Sequence, residues 1–357
     1  MAPNLIPPYP YFGSKRAVAP LIWTALGDVG VYIEPFFGSG SILLARPTSA
    51  KVETVNDLDC FLTNFWRALQ ADPQAVAQWA SYPVSELDLH ARHRWLMEQD
   101  DFREHLRRDP LYYDAQIAGW WVWGLCAWIG HGWCSEGFER RRKVPLIVGA
   151  KRGTGIHQGQ CVHKPRPEIA ANTPGKGIHK KRPMVAADRN GNGVHSTLWQ
   201  QKPMVGADRQ SMILDSADDL LPWFQALAAR LRKVRICCGD WQRVLTPVVL
   251  DGAGITGIVL DPPYAHAGRD PRLYAHDTDI AHEVAAWARA HGENPRYRIV
   301  LCGYGDEHVM PGWTCLPWKA NGGYGNQGTG QGKANREREC LWFSPHCQTV
   351  TVQLSLW

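Results

Sequence analysis

Apolar positions follow one rhythm near both ends of the chain and another in its middle. At the N-terminal end, Val18, Leu21, Ile22 and Leu26 recur on one helical face. Residues 31–33 then read as a short buried strand, followed by a glycine turn and the apolar helix start Ile42-Leu43-Leu44. Residues 51–55 predict a second strand, which ends in Asn56-Asp57-Leu58-Asp59 ahead of a helix over 61–69. The same rhythm resumes with an amphipathic helix over 220–231. Strands follow at 234–238, 255–260 and 298–302, and 339–344 and 349–356 close the sheet. Strands alternating with helices predict an α/β fold with a mostly parallel sheet and helices on both faces. Such sheets bind ligands at the carboxyl ends of their strands.

The middle breaks this rhythm. Residues 72–108 are helical, polar and aromatic, and five tryptophans fall between 117 and 133. Trp121, Leu125 and Trp128 share a helical face there and are expected to pack rather than to stack on bases. From 139 to 209 the chain carries fifteen Lys and Arg against four Asp and Glu, an excess of eleven positive charges. With a total of +5, the remainder carries −6. Part of the basic stretch repeats itself: Arg182-Pro183-Met184-Val185 returns as Lys202-Pro203-Met204-Val205, each followed by an Ala-Asp-Arg. The repeats, at about 151–210, are rich in Gly, Pro, Lys and Arg and cannot build a deep core. They read either as a ligand-facing insertion for a polyanion such as nucleic acid or as a linker.

Candidate chemistry gathers at three strand tips. The apolar run 255–260 stops at Asp261-Pro262-Pro263-Tyr264. Proline fixes its own φ and has no amide hydrogen, so this stretch leaves the sheet as a stiff ledge. It offers a carboxylate, bare carbonyls and an aromatic face, which suits a flat base with an exocyclic amine. At the first strand, Gly38 and Gly40 allow close backbone approach, and a helix start offers amide hydrogens. A dinucleotide fingerprint would want a third glycine where Leu43 stands. Asp57, at the second tip, suits ribose hydroxyls or a helix N-cap. Asp240 and Trp241, after the third strand, suit an adenine or equally a cap and a core side chain.

Three motifs in order, Tyr11-Phe12-Gly13-Ser14-Lys15, Glu34-Pro35-Phe36-Phe37-Gly38-Ser39-Gly40-Ser41 and Asp261-Pro262-Pro263-Tyr264, resemble those of the alpha-class, Dam-type DNA adenine-N6 methyltransferases. The likeness covers roughly 1–70 and 212–345. It implies a class I S-adenosylmethionine-dependent, Rossmann-like methyltransferase sheet with an inserted, largely helical and basic target-recognition domain. The catalytic domain is expected over 1–70 and 212–357, the insertion over 71–211. The resemblance places Tyr11, Lys15, Glu34 to Ser41, Asp57, Asp240, Trp241 and Asp261 around S-adenosylmethionine. Asp261, Pro262, Pro263 and Tyr264 would act on a flipped adenine of double-stranded DNA, and the chemistry requires no metal. Arg140, Arg141, Arg142, Lys143, Lys181, Arg182, Lys202, Arg209 and Arg269 are the expected DNA contacts. Cytosine-N4 methylation uses a similar ledge, usually with Ser in place of Asp261. A catalytically silent DNA-binding regulator is the alternative from another class.

With 357 residues and 45% hydrophobic content, the chain can bury a substantial core. Its ten cysteines show no C-x-x-C spacing, which argues against a zinc site or a disulfide framework. No signal peptide or convincing membrane span is expected. A cytoplasmic, bacterial or phage-encoded enzyme is the expectation, as a monomer or a homodimer.

Overall fold

A computed structural model describes residues 5–11, 13–128, 133–134, 217–252, 254–264, 280–318 and 338–350. Among these residues, seven strands form one sheet: β1 (Val31–Glu34), β2 (Val52–Asp57), β3 (Val234–Cys238), β4 (Thr256–Leu260), β5 (Tyr297–Tyr304), β6 (Thr314–Pro317) and β7 (Glu339–Phe343). Their spatial order is β3-β2-β1-β4-β5-β7-β6. β1 to β5 pair in parallel, and β7 runs antiparallel to both β5 and β6.

Side-chain alternation divides the sheet's two faces between two cores. Tyr32, Val259, Val300, Cys302, Leu341 and Phe343 enter one. Val31, Ile33, Ile258, Leu260, Ile299, Leu301 and Trp342 enter the other. β4 is buried at every position, which is why it reads as an unbroken apolar run. α1 (Ala19–Leu26), α3 (Cys60–Ala71), α4 (Pro73–Ala80), α7 (Ala115–Ala127) and α8 (Ala217–Leu231) contribute to the first core; α10 (Ala281–His291) packs into the second.

The helices after β2 include α5 (Glu86–Met97) and α6 (Asp100–Arg108). Val76, Ala77 and Trp121 from this stretch share one core with Phe65 of α3 and Leu227 of α8. Trp121 meets Tyr9 at 5.3 Å and Phe65 at 5.8 Å between ring centroids, so it packs as expected. Trp128 departs from the helical reading. Its backbone is extended at the C-cap of α7, and its ring stacks on His93 at 5.3 Å. β6 has no counterpart among the predicted strands. It is a mostly exposed edge strand ending in proline, with no apolar alternation to mark it. The predicted strand 349–356 and the repeats lie outside the described residues, apart from residues 349 and 350.

Candidate active site

The carboxyl tips of β1, β2 and β4 open onto one cleft of about 830 Å³, counting its mouth. Its walls include Tyr11, Lys15, Glu34, Phe36, Phe37, Gly38, Ser39, Ser41, Asp57, Asp261 and Pro263, all expected from the sequence. Gly13, Ser14, Ile42, Leu58, Asp59 and Ile280 also line it and were not expected.

The glycine turn is held from three sides. Gly38 donates its amide to Asp57 Oδ2 at 2.9 Å, while its carbonyl accepts from the Tyr9 hydroxyl at 2.9 Å and the Trp66 indole at 3.2 Å. Its φ of +51° is left-handed, and an added Cβ would stand 2.7 Å from the Tyr11 ring. Gly40, at φ +68°, starts α2 (Ser41–Leu44). Asn56 ties the neighbouring tips together, donating to Pro35 O at 3.1 Å and Gly239 O at 2.9 Å.

Asp57 is not the helix cap that it could have been. Asp59 takes that role, accepting from the amides of Phe61 and Leu62. The apolar run begins next to Asp59, a cue available in the sequence. Asp57, at the end of β2, accepts from the Gly38 and Asp59 amides. Burial pushes its carboxyl up to about 6, against the pull of those two amides.

Lys15 enters from the turn before α1. Its ammonium lies 2.9 Å from Asp261 Oδ1 and 4.0 Å from Glu339 Oε2, and it donates to Gly13 O at 2.8 Å. Burial opposes its charge, but Asp261 and Glu339 outweigh it and hold the amine above its ordinary range. Burial likewise raises Asp261, and Lys15 draws it back part of the way. Glu34 is buried and accepts from Tyr32 Oη at 2.8 Å; burial raises it, and so do Asp261 and Asp57. Among the described residues, four carboxyl groups thus line the cleft against one amine.

Tyr264 is largely covered. Its ring meets Tyr304 edge-on at 4.7 Å, and Lys15 Nζ stands 5.1 Å from its centroid. Its hydroxyl donates to Glu339 Oε2 at 3.2 Å. Glu339, at the start of β7, is a participant that no spacing in the sequence announces. Asp240 is exposed and caps the short 3₁₀ turn Trp241–Val244, accepting from Gln242 N at 2.8 Å. Trp241 is buried and stacks near Phe36 at 6.1 Å. Neither lines the cleft, nor do Pro35, Gly40, Pro262 and Tyr264. Arg140, Arg141, Arg142, Lys143, Lys181, Arg182, Lys202, Arg209 and Arg269 lie outside the described residues.

The strand order, the antiparallel β7 and a ligand cleft at the parallel strands' tips define a class I methyltransferase fold. Residues 11–115 match the family model of the D12 class N6 adenine-specific DNA methyltransferases. The match takes in the first two motifs, and the ledge at Asp261 supplies the third further along the chain. Over that stretch the chain is similar to the N6 adenine-specific DNA methyltransferases of this class, and methyltransferases of this family draw on S-adenosylmethionine. No curated protein matches the chain. Among the described residues no helix is long and apolar enough to cross a membrane.

Proposed function

We propose that the cleft holds S-adenosylmethionine and that Asp261-Pro262-Pro263-Tyr264 receives the target adenine. The observation that carries this reading is the convergence of Asp57, the Gly38 turn and Asp261 on one cleft. The residues suit the cofactor. Asp57 provides a carboxylate for ribose hydroxyls, Phe36 and Leu58 offer apolar wall, and the excess of carboxyl groups favours a cation. Bound there, S-adenosylmethionine supplies an electrophilic methyl group.

The chain's own residues handle the amine. Lys15 pins Asp261 through Oδ1, so Oδ2 serves the adenine amino group as hydrogen-bond acceptor and takes the proton the nitrogen gives up. The Pro262 carbonyl accepts the second amino hydrogen. Two acceptors favour tetrahedral character at nitrogen and aim its lone pair at the methyl. A raised carboxyl is the better base for this task. Positioning nucleophile and methyl in line accounts for up to ~7–11 kcal/mol in well-oriented cases. The base must leave the duplex stack, because its amine is paired there. Tyr264 then offers its ring to the base.

The stretch 71–211 serves as target-recognition region in this reading, with the basic residues between 140 and 210, and Arg269 near the ledge, on DNA. Asp240, exposed at the tip of β3, would reach the cofactor adenine from beside the cleft, while Trp241 supports Phe36 of its wall from behind. The setting is cytoplasmic, in a bacterial or phage-encoded enzyme that acts alone or as a homodimer. Calorimetry of S-adenosylmethionine binding to wild type and Asp57→Ala tests the cofactor site. Loss of ribose hydrogen bonds should cost about 1.5–3 kcal/mol, and equal affinities would remove Asp57 from it.

A further inference from the structure

The outer edge of β3 carries a second cleft, about 820 Å³ counting its open mouth, that shares no lining residue with the cofactor cleft. Four arginines line it: Arg67 of α3, Arg107 of α6, Arg235 of β3 and Arg243 of the turn after β3. Among the described residues, no carboxylate lines it. Asp109 is close in sequence, but its side chain is occupied by the Leu111 amide at 2.8 Å.

The two inner guanidinium groups are fixed by main-chain carbonyls, not by counter-charges. Arg67 donates from Nε to Ile236 O at 3.1 Å and from Nη1 to Leu106 O at 2.8 Å, while Arg243 donates from Nη1 to the Cys238 carbonyl. These bonds orient the forks and leave the positive charge unneutralised. Arg107 and Arg235 are exposed and have no hydrogen-bond or ion-pair partner among the described residues. Their fields converge: burial raises the Cys237 thiol, and Arg243, Arg67 and Arg235 each pull it down. Burial disfavours the charge on Arg67 most; Cys238 and Cys237 oppose that, Arg243 adds to it more weakly, and Asp109 opposes it more weakly still. Like charges drawn together in a concave space repel unless an anion sits among them, and guanidinium forks match phosphate oxygens.

We infer that this four-arginine cleft on the β3 edge is a phosphate-binding site that grips the DNA backbone outside the target-recognition stretch. The inference rests on duplex DNA being the substrate. β3 stands three strands from β4, and at about 4.8 Å per strand the cleft lies roughly 15 Å from the ledge in the plane of the sheet. A duplex that presents its adenine at Asp261 has phosphates within that span. The cleft reaches Cys238 at the tip of β3, and the following Gly239 donates to Asp57 O at 3.0 Å, which ties this edge to the β2 tip.

The test is the full-length Arg107→Ala/Arg235→Ala enzyme, since neither side chain makes a bond that the fold needs. Duplex affinity should be measured between 50 and 200 mM salt, with S-adenosylmethionine affinity and melting temperature as controls. Two lost phosphate contacts should flatten the log–log slope by about 1.8, so that wild type loses roughly 12-fold more affinity than the variant over that range. Both controls should be unchanged. A wild type that binds duplex, with the same slope and affinity in the variant, overturns the inference. A titration with inorganic phosphate separates the remaining source. Phosphate binding lost in the variant with an unaltered duplex slope makes this a free-anion pocket and overturns the DNA assignment. A wild type that fails to bind duplex at all contradicts the duplex substrate itself, and the inference with it.

Discussion

Lys15 Nζ stands 2.9 Å from Asp261 Oδ1, which joins the turn before α1 to the tip of β4. The ammonium is 3% exposed and the carboxylate 20%, so the pair is shielded yet open on the Asp261 side. Removing the cation leaves Asp261 and Glu339 buried together without a counter-charge. Lys15→Ala should lose ~3 kcal/mol of stability, the lower end of the range for a broken buried pair. The loss should depend on pH. Burial already raises both carboxyls in the fold, a condition whose stability contribution is lost as pH rises. Without Lys15 both rise further, so the deficit in melting temperature should be larger at pH 8 than at pH 5. A deficit that shrinks as pH rises would contradict the arrangement.

Asp57, as the proposed ribose ligand, should make cofactor binding pH-dependent. Its carboxyl titrates at about 6 in the free protein, with Asp59 and the Gly38 amide beside it. Ribose hydroxyls need the ionised form as acceptor. S-adenosylmethionine affinity should therefore be flat above pH 7 and fall as pH drops through 6, with proton release on binding near pH 6. Asp57→Asn should bind weakly and lose that inflection. Calorimetry in two buffers of different ionisation enthalpy reads both quantities.

Tyr264 separates ring from hydroxyl. Its hydroxyl bonds Glu339 at 3.2 Å, whereas its ring is the part proposed to meet the base. Tyr264→Phe should lose about 1.5 kcal/mol of stability, as for a hydrogen bond to a charged group, and retain most single-turnover methylation. Tyr264→Ala should also lose base stacking, about 1–3 kcal/mol. If Phe is as inactive as Ala, the hydroxyl, through Glu339 and Lys15, is what the reaction requires.

Trp121 links the helices after β2 to the cofactor turn. It packs against Tyr9, and the Tyr9 hydroxyl holds the Gly38 carbonyl. Trp121→Ala should cost about 3–5 kcal/mol and weaken S-adenosylmethionine binding as well. Chemical denaturation and calorimetry on the same variant check both effects.

The sheet was legible because its central strands are buried on both faces, so 255–260 and 298–302 read as continuous apolar runs. β6 was not, since an exposed edge strand has no apolar rhythm. The cleft's glycines, Asp57 and Asp261 were legible because each sits at a strand's end, where an apolar run meets Gly, Pro or Asp. Glu339 was hidden: its importance comes from the antiparallel pairing that sets β7 beside β5, a long-range event without a local signature. The arginines of the β3 edge were hidden for the same reason. Arg67, Arg107 and Arg235 lie on three elements that only the fold brings together.

The most direct test is single-turnover methyl transfer from labelled S-adenosylmethionine to unmethylated duplex DNA, with the product nucleosides separated. Wild type should yield N6-methyladenine. Asp261→Ala should retain its fold, since Glu339 still stands 4.0 Å from Lys15, but should yield no methylated base. Near-wild-type turnover in Asp261→Ala, or label recovered in N4-methylcytosine, would contradict the account.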